Sequence, residues 1–141
     1  MNLSAVTHPD LLRALALCGH GSKVLIADGN FPHVTGTNRH AKRIHLNFRP
    51  GLLTGDQVLE SLALTIPIEA AEFMQSESGA TVPAVEGYLA LLPGVPATGI
   101  ERFSFYDAAR SDHVAVVVAT GDERAYANLL VTVGVRPPSF E

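Results

Sequence analysis

Apolar positions along the chain follow two rhythms that take turns. After Pro9, Leu11, Leu15 and Cys18 return at helical spacing. Proline suits a first helical turn and Gly19 suits the stop, so this stretch is predicted as a helix. KVLIA, residues 23–27, is a short unbroken apolar run and is predicted as a buried strand. Residues 28–42 hold Gly, Asn, Pro and Thr without a period. They are expected to form an ordered loop of unusual length, the kind of segment that often carries function. RIHLNF, residues 43–48, alternates as a strand does. Thr54 and Gln57 form a capping box that opens a helix through GDQVLESLALTI. IPIEAAEFM fits strand or helix, with strand preferred, and PAVEGYLALL, residues 83–92, is read as a helix with proline at its start. GIERFSF, residues 99–105, is read as a strand followed by a short helical YDAARS. HVAVVVAT, residues 113–120, is the clearest buried strand. ERAYANLLVTVGV begins as a turn or helix and ends as a strand at 129–133. This alternation predicts a single α/β domain over residues 1–141, its central and largely parallel sheet flanked by helices.

Composition narrows the setting. The net charge of −4 and isoelectric point near 5.8 argue against nucleic acid or an anionic membrane as partner, since both need a basic footprint. Cys18 is the single cysteine, so no internal disulfide forms and a reducing cytoplasm fits best. Its place on the apolar helix face marks it as packing rather than a nucleophile. The opening MNLSAVTHPD has neither the basic head nor the apolar run of a signal peptide, and the longest apolar run, Val114–Ala119, is far too short to span a bilayer. Yet 47% of 141 residues are apolar. In so small a domain that excess predicts faces buried against other subunits.

Ligands of open α/β sheets bind beyond the carboxyl ends of strands. Asp28 follows the first predicted strand, and Thr120-Gly121-Asp122 follow the most buried one. His20, set between Gly19 and Gly21, precedes its strand. At about 3.3 Å per residue, one chain's His20 and Asp28 stand ~20 Å or more apart. They meet only if the Gly19–Gly21 segment folds back or if another chain supplies the partner. His33, His40 and His45 invite a metal reading with Asp28, but their spacings fit no zinc pattern. DGNFPHVTG lacks the glycine spacing of a dinucleotide fingerprint.

Four blocks in order carry a resemblance. The histidine of CGH with its strand and DGNFP, then KRIHLNFRPGLLTGDQVLESL, then IERFSFYDAAR, then TGDERAYANLLVTVGV are similar to the D-ribose pyranase and L-fucose mutarotase family. Together they span roughly half the chain. DGNFP and RFSFY resemble the fucose branch, and the second block resembles the ribose branch. The resemblance implies a small α/β protein assembled into a ring, commonly a decamer. It implies sugar sites near subunit contacts and no metal or nucleotide cofactor. It also implies interconversion of the cyclic forms of a free reducing sugar, L-fucose-like before D-ribose. By the same resemblance His20 and Asp28 are the catalytic pair, and Arg102, Tyr106, Tyr126 and Asn128 bind substrate.

The residues suit that chemistry. Opening a cyclic hemiacetal takes a proton from the anomeric hydroxyl and gives one to the ring oxygen, and closure reverses both transfers. A histidine can do both near neutral pH. Each residue also has a plainer use: His20 as a helix-end polar group, Asp28 as a turn former before Gly29, Tyr126 as packing, Arg102 as a partner of Glu101 or Asp107. A non-catalytic monosaccharide-binding protein serving a sugar transport or catabolic operon is the competing class. An enzyme speeds exchange at catalytic dilution, whereas a binder shifts populations only in proportion to its own concentration.

Overall fold

A computed structural model describes residues 1–139; residues 140 and 141, the last two of the expected domain, lie outside the described residues. The described chain forms α1 (Pro9–Ala16), β1 (Lys23–Ala27), β2 (Lys42–His45), α2 (Gly55–Ala63), β3 (Ile68–Met74), α3 (Pro83–Ala90), β4 (Ala97–Ile100), α4 (Arg102–Arg110), β5 (Val114–Ala119) and β6 (Leu129–Val133). The strands make one sheet in the order β2-β5-β1-β6-β3-β4. The β2–β5, β5–β1 and β3–β4 pairs are parallel; β6 alone runs antiparallel, between β1 and β3. Five strands therefore end on the edge where β6 begins.

Side chains alternate across the sheet as strand geometry requires. Val24 and Ile26 of β1 join the core under α1, α2 and α3, whereas Leu25 and Ala27 face Phe31 and the Phe105 and Ala109 of α4. Both sides of the strand are buried, which is why β1 and β5 read as continuous apolar runs. Helix α2 starts where the capping box placed it: Thr54 Oγ1 accepts from the Gln57 N–H, and the Gln57 side chain returns the bond to the Thr54 N–H. Arg43 is one of the side chains that order the long loop. Arg43 donates through Nε to the His33 carbonyl and through Nη2 to Val34, Thr37 and Asn38 oxygens.

The expected strand over 99–105 is corrected. The strand ends at Ile100, and residues 102–105 open α4. Glu101 is the reason: its carboxylate accepts from the Phe103 and Ser104 N–H groups at 3.0 and 3.1 Å, an N-cap that turns the chain into a helix. Phe105 and Ala109, four apart, then form its buried face. Strand β2 is shorter than expected, 42–45 against 43–48, because the Leu46 N–H makes the last bond to β5, at the Ala119 carbonyl, before the chain turns away. Cys18 is half-buried at the margin of the core, with its thiol on the Ala14 carbonyl; burial raises its pKa, opposed by a bond from Ser22.

Candidate functional site

The carboxyl edge of the sheet gathers five of the six sequence candidates. Asp28 follows β1, Arg102 and Tyr106 lie on α4 just past β4, and Tyr126 and Asn128 lead into β6. Together with Asn30, Phe31, Met74 and Ala125 they line a cavity of about 240 Å³. A larger cleft of about 480 Å³ adjoins it through Asn30 and runs along Asn47–Pro50 and Thr120–Glu123.

Asp28 is the buried anchor. Its Oδ1 accepts from the N–H groups of Asn30 and Phe31, both at 2.9 Å, an Asx turn that shapes the start of the loop. Asn128 pairs with it twice: Asn128 Nδ2 donates to Asp28 Oδ2 at 3.0 Å, and the Asp28 N–H donates to Asn128 Oδ1 at 2.8 Å. Oδ1 thus takes two backbone donors, and Oδ2 takes the Asn128 amide. Burial pushes the Asp28 carboxyl above its usual range, opposed by the bonds from Asn30, Phe31 and Asn128. His33, half-buried behind the loop, donates from Nε2 to the Asp28 carbonyl at 2.7 Å.

The opposite wall is aromatic and cationic. Arg102 lies over the rings of Phe103 and Tyr106, at 5.7 and 5.6 Å, and its Nε donates to the Tyr106 hydroxyl at 3.3 Å. The pairing with Tyr106 follows from one helix turn of spacing between 102 and 106. Phe31 packs on Tyr106 with ring centroids 5.7 Å apart. Tyr126 has φ 59°, a left-handed backbone that a tyrosine rarely adopts and that needs its surroundings to hold it.

His20 is not in this group. It sits at the amino-terminal end of β1, on the edge away from Asp28, and the Gly19–Ser22 turn does not fold back. Gly21 N–H donates to the Val133 carbonyl and Val133 N–H to the Ser22 carbonyl, tying the turn to the far end of β6. The imidazole is exposed and its Nε2 lies 3.0 and 3.1 Å from the two oxygens of Glu69, at the start of β3. A carboxylate only accepts, so Nε2 donates to Glu69.

Sequence reading missed Glu69, Met74 and Ala125 as neighbours of the candidates. Met74 had a signal, since it ends a strand on the ligand-binding edge. Glu69 had none, because its contact with His20 spans 49 residues and depends on sheet order. Of the histidines weighed for metal, His33 and His45 stand with ring centroids 6.4 Å apart. Among the described residues no three His, Cys, Asp or Glu side chains are grouped to hold a metal ion.

The segment after β5 is tied down by a second buried carboxylate. Asp122, 1% exposed, accepts the Gly55 N–H on Oδ2 and a two-pronged donation from Arg124, Nε to Oδ1 at 2.9 Å and Nη2 to Oδ2 at 2.6 Å. Burial alone raises its pKa, but the bonds from Arg124 and Gly55 outweigh that and hold it below the usual range. The stability Asp122 contributes is therefore full above the unfolded value of about 3.9 and is lost as pH falls through the lower folded value. The stability gap between wild type and Asp122→Asn is expected to narrow from pH 7 to pH 3 in urea unfolding. A gap constant across that range would mean the carboxylate is not preferentially charged in the fold.

Five of the six residues that the resemblance singles out thus share one edge, and His20 lies on the other. A family model for the RbsD / FucU transport proteins matches residues 1–136. The chain belongs to that family. Among its relatives are a fucose mutarotase of Danio rerio, 30% identical over 96% of this chain and 94% of that protein. A D-ribose pyranase of Paracidovorax citrulli is 31% identical over 96% of this chain and 98% of that one. The family's fold is shared by a fucose mutarotase from Streptococcus pneumoniae solved in complex with L-fucose, with TM-score 0.80, 25% identity, and coverage of 97% and 100%.

Proposed function

We propose that the protein is a monosaccharide mutarotase, opening and reclosing the ring of a free reducing sugar by proton transfer alone. The observation that carries this reading is the convergence of Asp28, Arg102, Tyr106, Tyr126 and Asn128 on one cavity, from three separate stretches of sequence. The Asp28 carboxylate accepts from a sugar hydroxyl. Arg102, Tyr106 and Asn128 supply further polar contacts around the ring. His20 is the acid–base group, held by Glu69, and it moves a proton between the anomeric hydroxyl and the ring oxygen.

His20 reaches that cavity from a second copy of the chain, since its own Asp28 is at the far end of β1. The protein works as a homo-oligomer, in the reading given by the family resemblance a decameric ring, in the cytoplasm. Exposed Leu17, Phe48, Leu64 and Phe103 offer apolar surface for such contacts. A site shared between chains has a direct test. His20→Ala and Asp28→Asn proteins should each be inactive alone. Refolded together in equal amounts, they should regain about a quarter of wild-type exchange, the share of sites drawing both intact halves from a random mixture. A mixture that stays inactive defeats the shared site.

The substrate is read as L-fucose, or a sugar with its hydroxyl pattern, before D-ribose. L-Fucose carries a methyl group that D-ribose lacks. Phe31, Met74 and the Tyr106 ring form an apolar wall of the cavity suited to receive it. D-Ribose pyranase activity is the second reading, supported by the equal similarity to a pyranase relative. Saturation-transfer NMR at catalytic enzyme dilution should give faster anomer exchange for L-fucose than pyranose–furanose exchange for D-ribose; the reverse order assigns the protein to ribose. Exchange that scales only with stoichiometric protein would make it a non-catalytic sugar-binding protein.

A further inference from the structure

The connection from β5 to β6 carries Tyr126 in a left-handed conformation and delivers both Tyr126 and Asn128 to the cavity. Something must hold it, since a free chain does not place tyrosine there. On one side the buried Tyr88 hydroxyl donates to the Ala127 carbonyl at 3.0 Å; burial and the nearby Asp122 charge keep its proton in place. On the other side stands Arg124, two residues before Tyr126. Its backbone N–H and its Nε both donate to Asp122 Oδ1, at 3.1 and 2.9 Å. Its Nη2 donates to Asp122 Oδ2 at 2.6 Å and stands 2.9 Å from Asp56 Oδ2 in an ion pair.

Asp122 is itself fixed from two directions: Gly55 N–H at the start of α2 donates to its carboxylate, and its carbonyl accepts the Gly29 N–H beside Asp28. Asp56, the second residue of α2, keeps its Oδ1 buried with no hydrogen-bond partner and turns its Oδ2 to the Arg124 guanidinium. Exposed ion pairs contribute little, but this one forks onto a buried carboxylate with both prongs short, a geometry lysine cannot reproduce.

We propose that Arg124 is a positioning residue for substrate binding, tying the Tyr126–Asn128 wall of the cavity to α2 through Asp122 and Asp56. It touches no ligand; it fixes the backbone that presents the side chains that do. This rests on the sugar site proposed above. The expected signature is weaker substrate binding with little change in turnover, because the acid–base groups lie elsewhere.

The test uses the full-length oligomer with L-fucose as probe and compares Arg124→Gln, Arg124→Lys and Asp56→Asn. Arg124→Gln should raise KM about tenfold, the effect of losing a charge-assisted hydrogen bond, and leave kcat within about twofold. Arg124→Lys should fall between it and wild type. Asp56→Asn, which keeps the fork onto Asp122, should raise KM by a smaller factor and serves as the second variant if Arg124→Gln does not fold. The ¹³Cα and ¹³Cβ shifts of Tyr126 should move away from left-handed values in Arg124→Gln. An unchanged KM together with unchanged Tyr126 shifts overturns the proposal, and so does a fall in melting temperature with KM unaltered. If the wild-type protein exchanges no sugar, the function assigned above fails, and the Tyr126 shifts alone decide whether Arg124 holds this wall.

Discussion

Replacing His20 with alanine is expected to remove most sugar exchange, about 10²–10⁴-fold, and to leave fold and assembly in place. Both halves of this expectation have a structural reason. Within one chain His20 is exposed and its imidazole bonds the oxygens of Glu69, so the fold of the chain does not rest on a buried imidazole. The turn around it is held by backbone bonds from Gly21 and Ser22 to Val133, which alanine keeps. What disappears is the imidazole, the proposed proton carrier. His33→Ala is the informative comparison. His33 bonds the Asp28 carbonyl, so its loss loosens the Asp28 turn without removing the proton carrier, and a smaller loss of rate is expected. Anomer exchange at equal protein concentration, with circular dichroism and size-exclusion controls, measures both. Near wild-type exchange by His20→Ala would make the histidine structural.

The largest effect on stability is expected at Gly121. A Cβ there would lie 2.3 Å from the Leu52 carbonyl oxygen and 2.4 Å from that of Arg49. Both are backbone atoms, and the same strip of chain is bonded to Gly121 from each side, Gly51 N–H to its carbonyl and its own N–H to Leu53. Nothing flexible can yield. Gly121→Ala should therefore destabilise by about 3 kcal/mol, at the upper end of overpacking, and lower the melting temperature by roughly 10 °C. Gly19→Ala is the control, because a Cβ at Gly19 meets nothing within 4 Å. Thermal unfolding of the two variants beside wild type checks this, and equal melting temperatures would show that the 49–53 strip can move aside.

Much of the fold was legible because local signals agreed. The capping box at Thr54, the proline starts at Pro9 and Pro83 and the apolar runs of β1 and β5 each fix an element by chemistry within a few residues. The misreading at 99–105 arose where two patterns overlap: Phe103 and Phe105 alternate like a strand, and only the capping by Glu101 reveals the helix. The antiparallel course of β6 was not legible either, since an apolar run carries no mark of its direction. The candidate site divides the same way. Asp28 beside a predicted strand end was readable, and the resemblance supplied Arg102, Tyr106, Tyr126 and Asn128. Glu69 beside His20, and Arg124 between Asp122 and Asp56, were hidden because each contact joins segments that only sheet order brings together.

The place of β6 has a consequence for how the molecule comes into being. The strands made before it form two separate parallel ribbons, β2-β5-β1 and β3-β4, which pair as a sheet only through β6. The last strand in the chain is thus the keystone of the sheet. Its insertion pairs residues on both flanks at once, Leu130 with Leu25 on one side and with Glu72 on the other. The same motion carries Asn128 onto Asp28 across a separation of 100 residues. Such long-range closure is slow relative to local folding, so both ribbons wait with open edges until it occurs. In refolding, recovery of sugar binding should therefore coincide with the final gain of strand structure rather than precede it.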